Sequence, residues 1–487
     1  MKIKNLPLAM MMATMPLSVF SQQEAPAAIA PLPTTNQVAW QQMETYAFIH
    51  YGLNTYDDSE WGYGNANPQI FNPSRLDCEQ WVRTLKAGGM KGVIITAKHH
   101  DGFCMWPTKY TDYSIRNTPY KDGKGDIVGE LAAACQKYGM KLGVYLSPWD
   151  RHQAFYGTPF YREYYYAQME ELFTQYGNLF EVWLDGANGG DGWYGGANEK
   201  RQIDRRTYYE FDRVKKLVEK YQPQAVIFSD GGPGCRWVGN EKGRAGETNW
   251  SLLNANKVYA GYEKMAELNS GHANGDTWVP AECDVSIRPG WFYHDSENDK
   301  VKSVADLMDI YYTSVGRNST FLLNVPVDKD GLIHPTDSIH LVNFRKALDE
   351  EFRVNLLKNA KVKASSTRHN AFGAANVTDG NFDTYWATKD GETSGTLTFT
   401  FKRQQSLNRL MIQEYIPLGQ RVRKFRVEYQ YNGNWKPLPV EEQTTTIGYR
   451  RLLRFNTIQA KQIRVTFDDA RGPLCINEMG AYLSKMK

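Results

Sequence analysis

Leu179-Phe180-Glu181-Val182-Trp183-Leu184-Asp185-Gly186 is a short run of branched and aromatic side chains that ends in a carboxylate followed by a glycine. Such a run predicts a buried strand. The glycine lets the backbone turn away, so Asp185 projects from the strand's C-terminal end. Similar runs recur at Tyr46 to His50, Gly92 to Ala97, Lys141 to Ser147, Ala225 to Ser229 and Thr320 to Val325. Between them lie Cys78 to Ala87, Ile127 to Tyr138, Phe160 to Tyr176 and Tyr208 to Lys220, which bring apolar residues round at helical spacing. This alternation predicts βα units around a parallel sheet. Their number and length imply an α/β fold, a (β/α)8-like barrel over residues 37–352, with the helical stretch Ile339 to Phe352 closing it.

Active sites of such barrels are built at the C-terminal ends of the strands. Those ends carry His50, then Lys98-His99-His100-Asp101, then Tyr145 and Trp149, then Trp183 and Asp185, then Asp230. A retaining glycosidase needs a carboxylate such as Asp185 about 5 to 5.5 Å from a second carboxyl group. The plain alternative for Asp185 is a helix cap or an arginine partner. The three histidines could bind sugar hydroxyls or a metal. Adjacent strand residues point to opposite faces, so His99 and His100 could share one metal only after a sharp turn, which favours hydroxyls. For either histidine taken singly, a structural role is the alternative.

Glu60-Trp61 sits in a loop rich in Gly and Asn, where a carboxylate could bind hydroxyls and an indole could pack on a sugar face. Two later segments, Gly234 to Glu241 and Pro280 to His294, each set a carboxylate beside aromatics and an arginine, and each could hold the partner carboxyl group.

Past residue 353 the texture changes to short alternating runs, Gly395 to Phe401, Arg409 to Tyr415, Lys424 to Tyr431 and Gln462 to Phe467, separated by Gly and Asn turns. This predicts an all-β jelly-roll sandwich over residues 353–487. A chain of 487 residues is in any case too long for one core. The net charge of +3 is too small to imply a polyanionic partner, so no nucleic acid is expected. Aromatics at 13% suit either surfaces that stack on sugar rings or an aromatic-rich core.

At the N-terminus, Lys2 and Lys4 precede an apolar run to Phe20, the pattern of an export signal over residues 1–21. Residues 22–36 then read as a linker with little reason to fold. No other segment is apolar for the roughly 20 residues a membrane helix needs, so no membrane anchor is expected. A periplasmic or secreted protein is expected. The six scattered cysteines have neither the density of a disulfide framework nor the spacing of a zinc site, and read as buried thiols.

Taken together, Phe48-Ile49-His50-Tyr51-Gly52, Ala97-Lys98-His99-His100-Asp101-Gly102-Phe103, Gly143-Val144-Tyr145-Leu146-Ser147 and Val182-Trp183-Leu184-Asp185-Gly186 resemble the α-L-fucosidases of glycoside hydrolase family 29. The resemblance covers roughly residues 40 to 350. It implies a retaining exo-α-L-fucosidase that forms a covalent fucosyl-enzyme, with Asp185 as nucleophile and Trp183 as a pocket wall. It makes His50, His99, His100 and Tyr145 contacts to the fucose hydroxyls, with Glu60 and Trp61 contributing from the first loop. It implies no required cofactor and no metal at the site. The substrate is a fucosylated oligosaccharide or glycoconjugate.

Arg236 to Glu241 and Ser286 to Phe292 further resemble the subgroup acting on α-1,3- and α-1,4-linked fucose in branched, Lewis-type glycans. That likeness makes Glu241 the acid/base, ahead of Glu282 and then Glu247, and adds Arg236 and Trp291 as substrate contacts. A broad-specificity fucosidase, a hydrolase of a related sugar on the same barrel and a non-catalytic glycan-binding protein are the competing readings. The C-terminal region resembles discoidin-like (factor type C) modules through Ala374 to Asn381 and Asp383 to Ala387. In that fold class the Asp379-Gly380-Asn381 loop serves either a structural calcium ion or a plain turn. The module itself either binds sugar or packs on the barrel.

Overall fold

The computed structural model describes residues 24–485 except 209 and 441. The expected export signal lies outside these residues. Eight strands close a barrel: β1 (Thr45–Ile49), β2 (Gly92–Lys98), β3 (Lys141–Leu146), β4 (Leu179–Trp183), β5 (Val226–Ser229), β6 (Cys235–Trp237), β7 (Ala281–Ser286) and β8 (Ser319–Asn324). Each pairs in parallel with its neighbours in chain order, and β8 returns to β1.

The helices packed outside begin and end where local chemistry directs. Asp77 caps Cys78–Ala87 by accepting from Gln80 N at 2.9 Å, and Asp126 caps Ile127–Tyr138 through Gly129 N at 2.9 Å. The latter helix stops at Gly139, whose φ of +65° suits a residue without a Cβ.

Two strands do not follow the expected pattern. β6 has only three residues and is joined to β5 without an intervening helix, through a tight turn closed by Gly234 N donating to Ile227 O at 2.9 Å. β7 reads Ala-Glu-Cys-Asp-Val-Ser, yet all six residues are buried. Its Glu282 points into the barrel, where its oxygens accept from Trp183 Nε1 at 2.8 Å and from the Tyr46 hydroxyl. Glu181 on β4 also points inward and accepts from Trp40 Nε1 at 2.8 Å. Burial pushes both carboxyl groups above the usual range, and for Glu181 the neighbouring Glu282 adds to the effect.

Residues past the barrel form a seven-stranded antiparallel sheet domain with its own core, including Trp386, Phe399 and Phe467. Gly395–Glu414 is one strand bent by register shifts, where the sequence suggests two. The segment leading into the barrel is not a free linker. Ile29 N donates to Leu418 O at 3.0 Å, and Arg421 donates to Ala27 O at 2.8 Å, so side chains and backbone of the distant domain satisfy the irregular stretch that precedes the helix Thr35–Gln41. All six cysteines are buried free thiols. Among the described residues, no helix is long and apolar enough to cross a membrane.

Candidate active site

At the C-terminal mouth of the barrel, strand parity turns Trp183 and then Asp185 inward while Val182 faces the outer core. The Asp185 side chain is 25% exposed. Its Oδ1 accepts from Ala187 N at 2.7 Å and its Oδ2 from the Tyr145 hydroxyl at 3.1 Å, with His100 Nε2 at 3.9 Å. No arginine forms an ion pair with it among the described residues. Gly186 does more than turn the chain: a Cβ there would lie 2.1 Å from Asp230 Oδ2. Asp230 is pushed up to about 7, by burial first and then by the charge of Asp185.

The three histidines line one side of the mouth. A register shift at the end of β2 breaks simple alternation and brings the His99 and His100 rings to 4.1 Å. Ser147 Oγ donates to Trp149 O at 2.8 Å and lies 2.7 Å from His100 Nδ1, which assigns the His100 proton to Nδ1 and leaves Nε2 as an acceptor. His50 Nδ1 lies 2.9 Å from Asn324 Oδ1, while Asn324 Nδ2 donates to Ser286 Oγ and Trp291 O, so His50 has the same tautomer. Burial lowers all three imidazoles, His50 to about 3, so they are neutral at physiological pH. His99 Nδ1 is buried with no hydrogen-bond partner among the described residues. The one potential metal-binding group among those residues, Glu181, Cys235 and Glu282, includes none of these histidines.

Aromatic rings enclose the space. Trp183 stacks on Phe228 at 4.0 Å and packs beside Tyr145 at 5.3 Å. Trp291 lies 5.1 Å from His50. Trp61 stands at the rim, 58% exposed, edge-on to His100. Glu60 ties the first loop to the loop after β7, accepting from Trp291 N at 2.8 Å, Phe292 N at 3.1 Å and His294 Nε2 at 2.7 Å.

Glu241 reaches the same mouth from the loop after β6, and its Oε2 accepts from Trp291 Nε1 at 3.2 Å. One side of the residue is open to solvent, but protein crowds the other. That desolvation raises its carboxyl above the ordinary range. The charges of Asp185 and Glu60 act in the same direction, and the Trp291 N–H opposes them.

The two lower-ranked proton-donor candidates and one expected substrate contact lie away from the mouth. Glu282 lies inside the barrel under Trp183, fully buried, and is absent from the mouth. Glu247 faces the C-terminal domain, accepting from Gln443 N at 2.9 Å. Arg236 is no sugar contact. On β6 Cys235 and Trp237 face inward, so Arg236 faces outward, 0% exposed, and donates to Leu268 O, Val279 O and Asn249 Oδ1. Arg236→Met should therefore lower the thermal midpoint by about 5 °C or more, because it strands buried carbonyls. KM should stay within about twofold of wild type; a large rise in KM with unchanged melting would return Arg236 to the pocket.

Sequence reading assigned no role to Ser147 and Asn324, which orient two of the histidines. Their signal was position: Ser147 follows Tyr145 at the mouth end of β3, and Asn324 ends β8 on the inward parity of Leu322. Volume points elsewhere, to a cavity of about 1020 Å³ at the opposite end of the barrel, lined by Trp40, Met140 and Phe180 among others, which holds none of the mouth residues.

In the C-terminal domain, Asp379 closes its own turn, accepting from Asn381 N at 2.8 Å and Thr384 Oγ1 at 2.6 Å, and Glu478 accepts from Gly380 N at 3.1 Å. These bonds shape the loop as a turn, and each carboxylate oxygen keeps a further lone pair.

Residues 19–348 match the sequence profile of the family described as alpha-L-fucosidase, and residues 361–479 match that of the F5/8 type C domain. Over 467 residues the chain is 45% identical to alpha-L-fucosidase 1 of Arabidopsis thaliana, covering 94% of this chain and 89% of that protein. It is similar to the crystal structure of a glycoside hydrolase 29 family member from an unknown rumen bacterium, at 48% identity and a TM-score of 0.85, covering 95% and 79% of the two chains. It is also similar to a family 29 fucosidase of Ruminococcus gnavus in complex with fucose, at 34% identity and a TM-score of 0.85, covering 95% and 97%. Because the profile spans the whole barrel and these relatives align over nearly the full chain, the chain belongs to the α-L-fucosidases of glycoside hydrolase family 29, with a C-terminal F5/8 type C domain.

Proposed function

We propose that the enzyme is exported and releases α-1,3- and α-1,4-linked L-fucose from branched, Lewis-type glycans by double displacement with retention. The observation that carries this reading is the convergence of two carboxyl groups on the barrel mouth in unlike settings. Asp185 is held by Tyr145 and Ala187, and Glu241 is kept above the ordinary carboxylate range by crowding and by the charge of Asp185.

In the first step Asp185 attacks the anomeric carbon and the bond to the leaving oxygen breaks, while Glu241 gives that oxygen its proton. In the second step Glu241 takes a proton from water, whose oxygen displaces Asp185 and restores the starting configuration. Neutral His50 and His100 each offer a ring-nitrogen lone pair to a sugar hydroxyl. The Trp183, Tyr145 and Phe228 rings suit a 6-deoxy sugar, whose methyl group makes no hydrogen bonds.

Support for the linkage comes from the likeness of Arg236 to Glu241 and Ser286 to Phe292 to the α-1,3/1,4-acting subgroup. The two segments touch through Trp291 and Glu241. The test compares fucose release from a branched Lewis trisaccharide, a linear α-1,2-fucosylated glycan and an activated aryl fucoside. Release from the branched sugar in preference to the linear one is expected. Equal rates on both would leave a broad-specificity fucosidase and discard the linkage.

The pH profile offers a second check. The Trp291 N–H stabilises the ionised form of Glu241, so Trp291→Phe should raise the Glu241 carboxyl further and move the alkaline limb of kcat/KM to higher pH. An alkaline limb that stays put or moves to lower pH would break the link between Trp291 and the proton donor.

A further inference from the structure

The segment that carries Glu241 leaves the barrel at Trp237, and the C-terminal domain grips it before it reaches Leu252. Thr446 Oγ1 accepts from Asn249 N at 2.8 Å. The Gln420 amide accepts from Ser251 N at 2.7 Å and donates to Asn249 O at 3.0 Å. Arg451 donates to Glu247 O at 2.5 Å, and Gln443 N donates to the Glu247 carboxylate at 2.9 Å. Asn249, Ser251, Gln420, Thr446 and Arg451 are all buried, so these bonds are costly to leave unmade.

The grip extends toward Glu241 itself. Asp309 pairs with Arg244 at 2.7 Å and with Arg454 of the C-terminal domain at 2.8 Å, and Arg244 O accepts from Asn240 Nδ2 at 2.9 Å. The stretch between turns at Gly239 and Gly243, with φ of +79° and +68°. The Glu241 side chain is exposed, and among the described residues its carboxylate accepts a hydrogen bond from Trp291 alone. The placement of the carboxyl group therefore depends on how the ends of its loop are held.

We infer that the C-terminal domain positions the acid/base: Thr446 and Gln420, through Asn249 and Ser251, hold the loop so that Glu241 meets the leaving oxygen. This rests on the reading of Glu241 as acid/base, and it assigns the domain a role in bond cleavage that requires no sugar bound to the domain.

The test uses the full chain and kcat/KM, which reports the step that breaks the glycosidic bond, on a branched glycan with a poor leaving group and on an activated aryl fucoside. Thr446→Val removes the hydroxyl at nearly constant shape. Glu247→Ala loosens the same grip at a partly exposed residue should the buried substitution fail to fold. An ångström of misplacement is worth up to about a hundredfold. Both variants should lose about ten- to a hundredfold on the glycan and less than about threefold on the aryl fucoside, and Thr446→Ser should restore the glycan rate.

Glu241→Gln is measured alongside. If it shifts the glycan-to-aryl ratio while the grip variants keep the wild-type ratio, the inference fails and the acid/base reading stands. If Glu241→Gln leaves the ratio unchanged, the acid/base reading fails and takes the inference with it. Equal losses on both substrates with a lowered melting midpoint would reduce the contacts to support of folding, which also overturns the inference.

Discussion

Asp185→Asn is expected to lower kcat on every fucoside, activated or not, by about four orders of magnitude, the scale seen when a group that acts on the reacting atom is removed. The geometry explains why no neighbour should replace it. Asp230 packs against Gly186 and accepts from Gly261 N, and Glu241 stands across the mouth against Trp291. Asp185 is partly exposed and nearly isosteric with Asn, so the variant should fold and melt close to wild type. A smaller variant, Asp185→Gly, leaves room for azide to attack the anomeric carbon directly, and β-L-fucosyl azide should accumulate. Activity of the Asn variant within about tenfold of wild type would remove Asp185 from the reaction.

Glu241→Ala should separate substrates by leaving group. General acid catalysis is worth about 10²- to 10⁴-fold, and a glycan alkoxide needs all of it. Loss on the branched glycan should therefore fall in that range, while kcat/KM on an aryl fucoside whose phenol leaves readily should fall less than about tenfold. Azide should then trap the fucosyl-enzyme as α-L-fucosyl azide, the opposite anomer to that formed by the Asp185→Gly variant. The alkaline limb of the pH profile should vanish, because the group crowded and charged into a raised pKa is gone. A uniform loss on both substrates would send the search for the proton donor elsewhere at the mouth, with Asp230, buried and pushed up to about 7, examined first.

How much of this could be read in the sequence depended on the environment of each residue. Six barrel strands are legible because, apart from single polar residues such as Glu181, both of their faces are mainly apolar, which leaves near-continuous runs of branched and aromatic residues. β7 is not legible, because the barrel interior along it is polar. Glu282 and Asp284 face inward and are satisfied by indole donors from Trp183 and Trp237, so the strand lacks its usual apolar signature. β6 is too short for any pattern, and no helix separates it from β5. The C-terminal domain is legible through period-two alternation, yet its longest strands read as pieces because bulges shift the alternation.

Some of the site followed from strand position. Asp185, Trp183, Tyr145 and His50 lie in or directly after legible strands, so parity and the rule of C-terminal ends place them together. From the residues alone Glu241 and Glu282 were both candidates for the proton donor, since each sits in a stretch dense with aromatics and polar groups, and only the family likeness ranked Glu241 first, Glu282 second and Glu247 third. The outward turn of Arg236 was equally hidden, because one residue of register in an unrecognised strand decides which side a chain faces.

By itself, then, the sequence determined the barrel, the antiparallel sheet domain behind it and the strand-end residues, because hydrophobic period and turn residues are local properties. Only the tertiary structure decided that Glu282 lies under Trp183, that Glu247 belongs to the domain interface, and that Glu241 alone of the three faces Asp185's mouth. Those outcomes depend on which distant segments meet, and the hydrogen bonds that settle them join residues far apart along the chain.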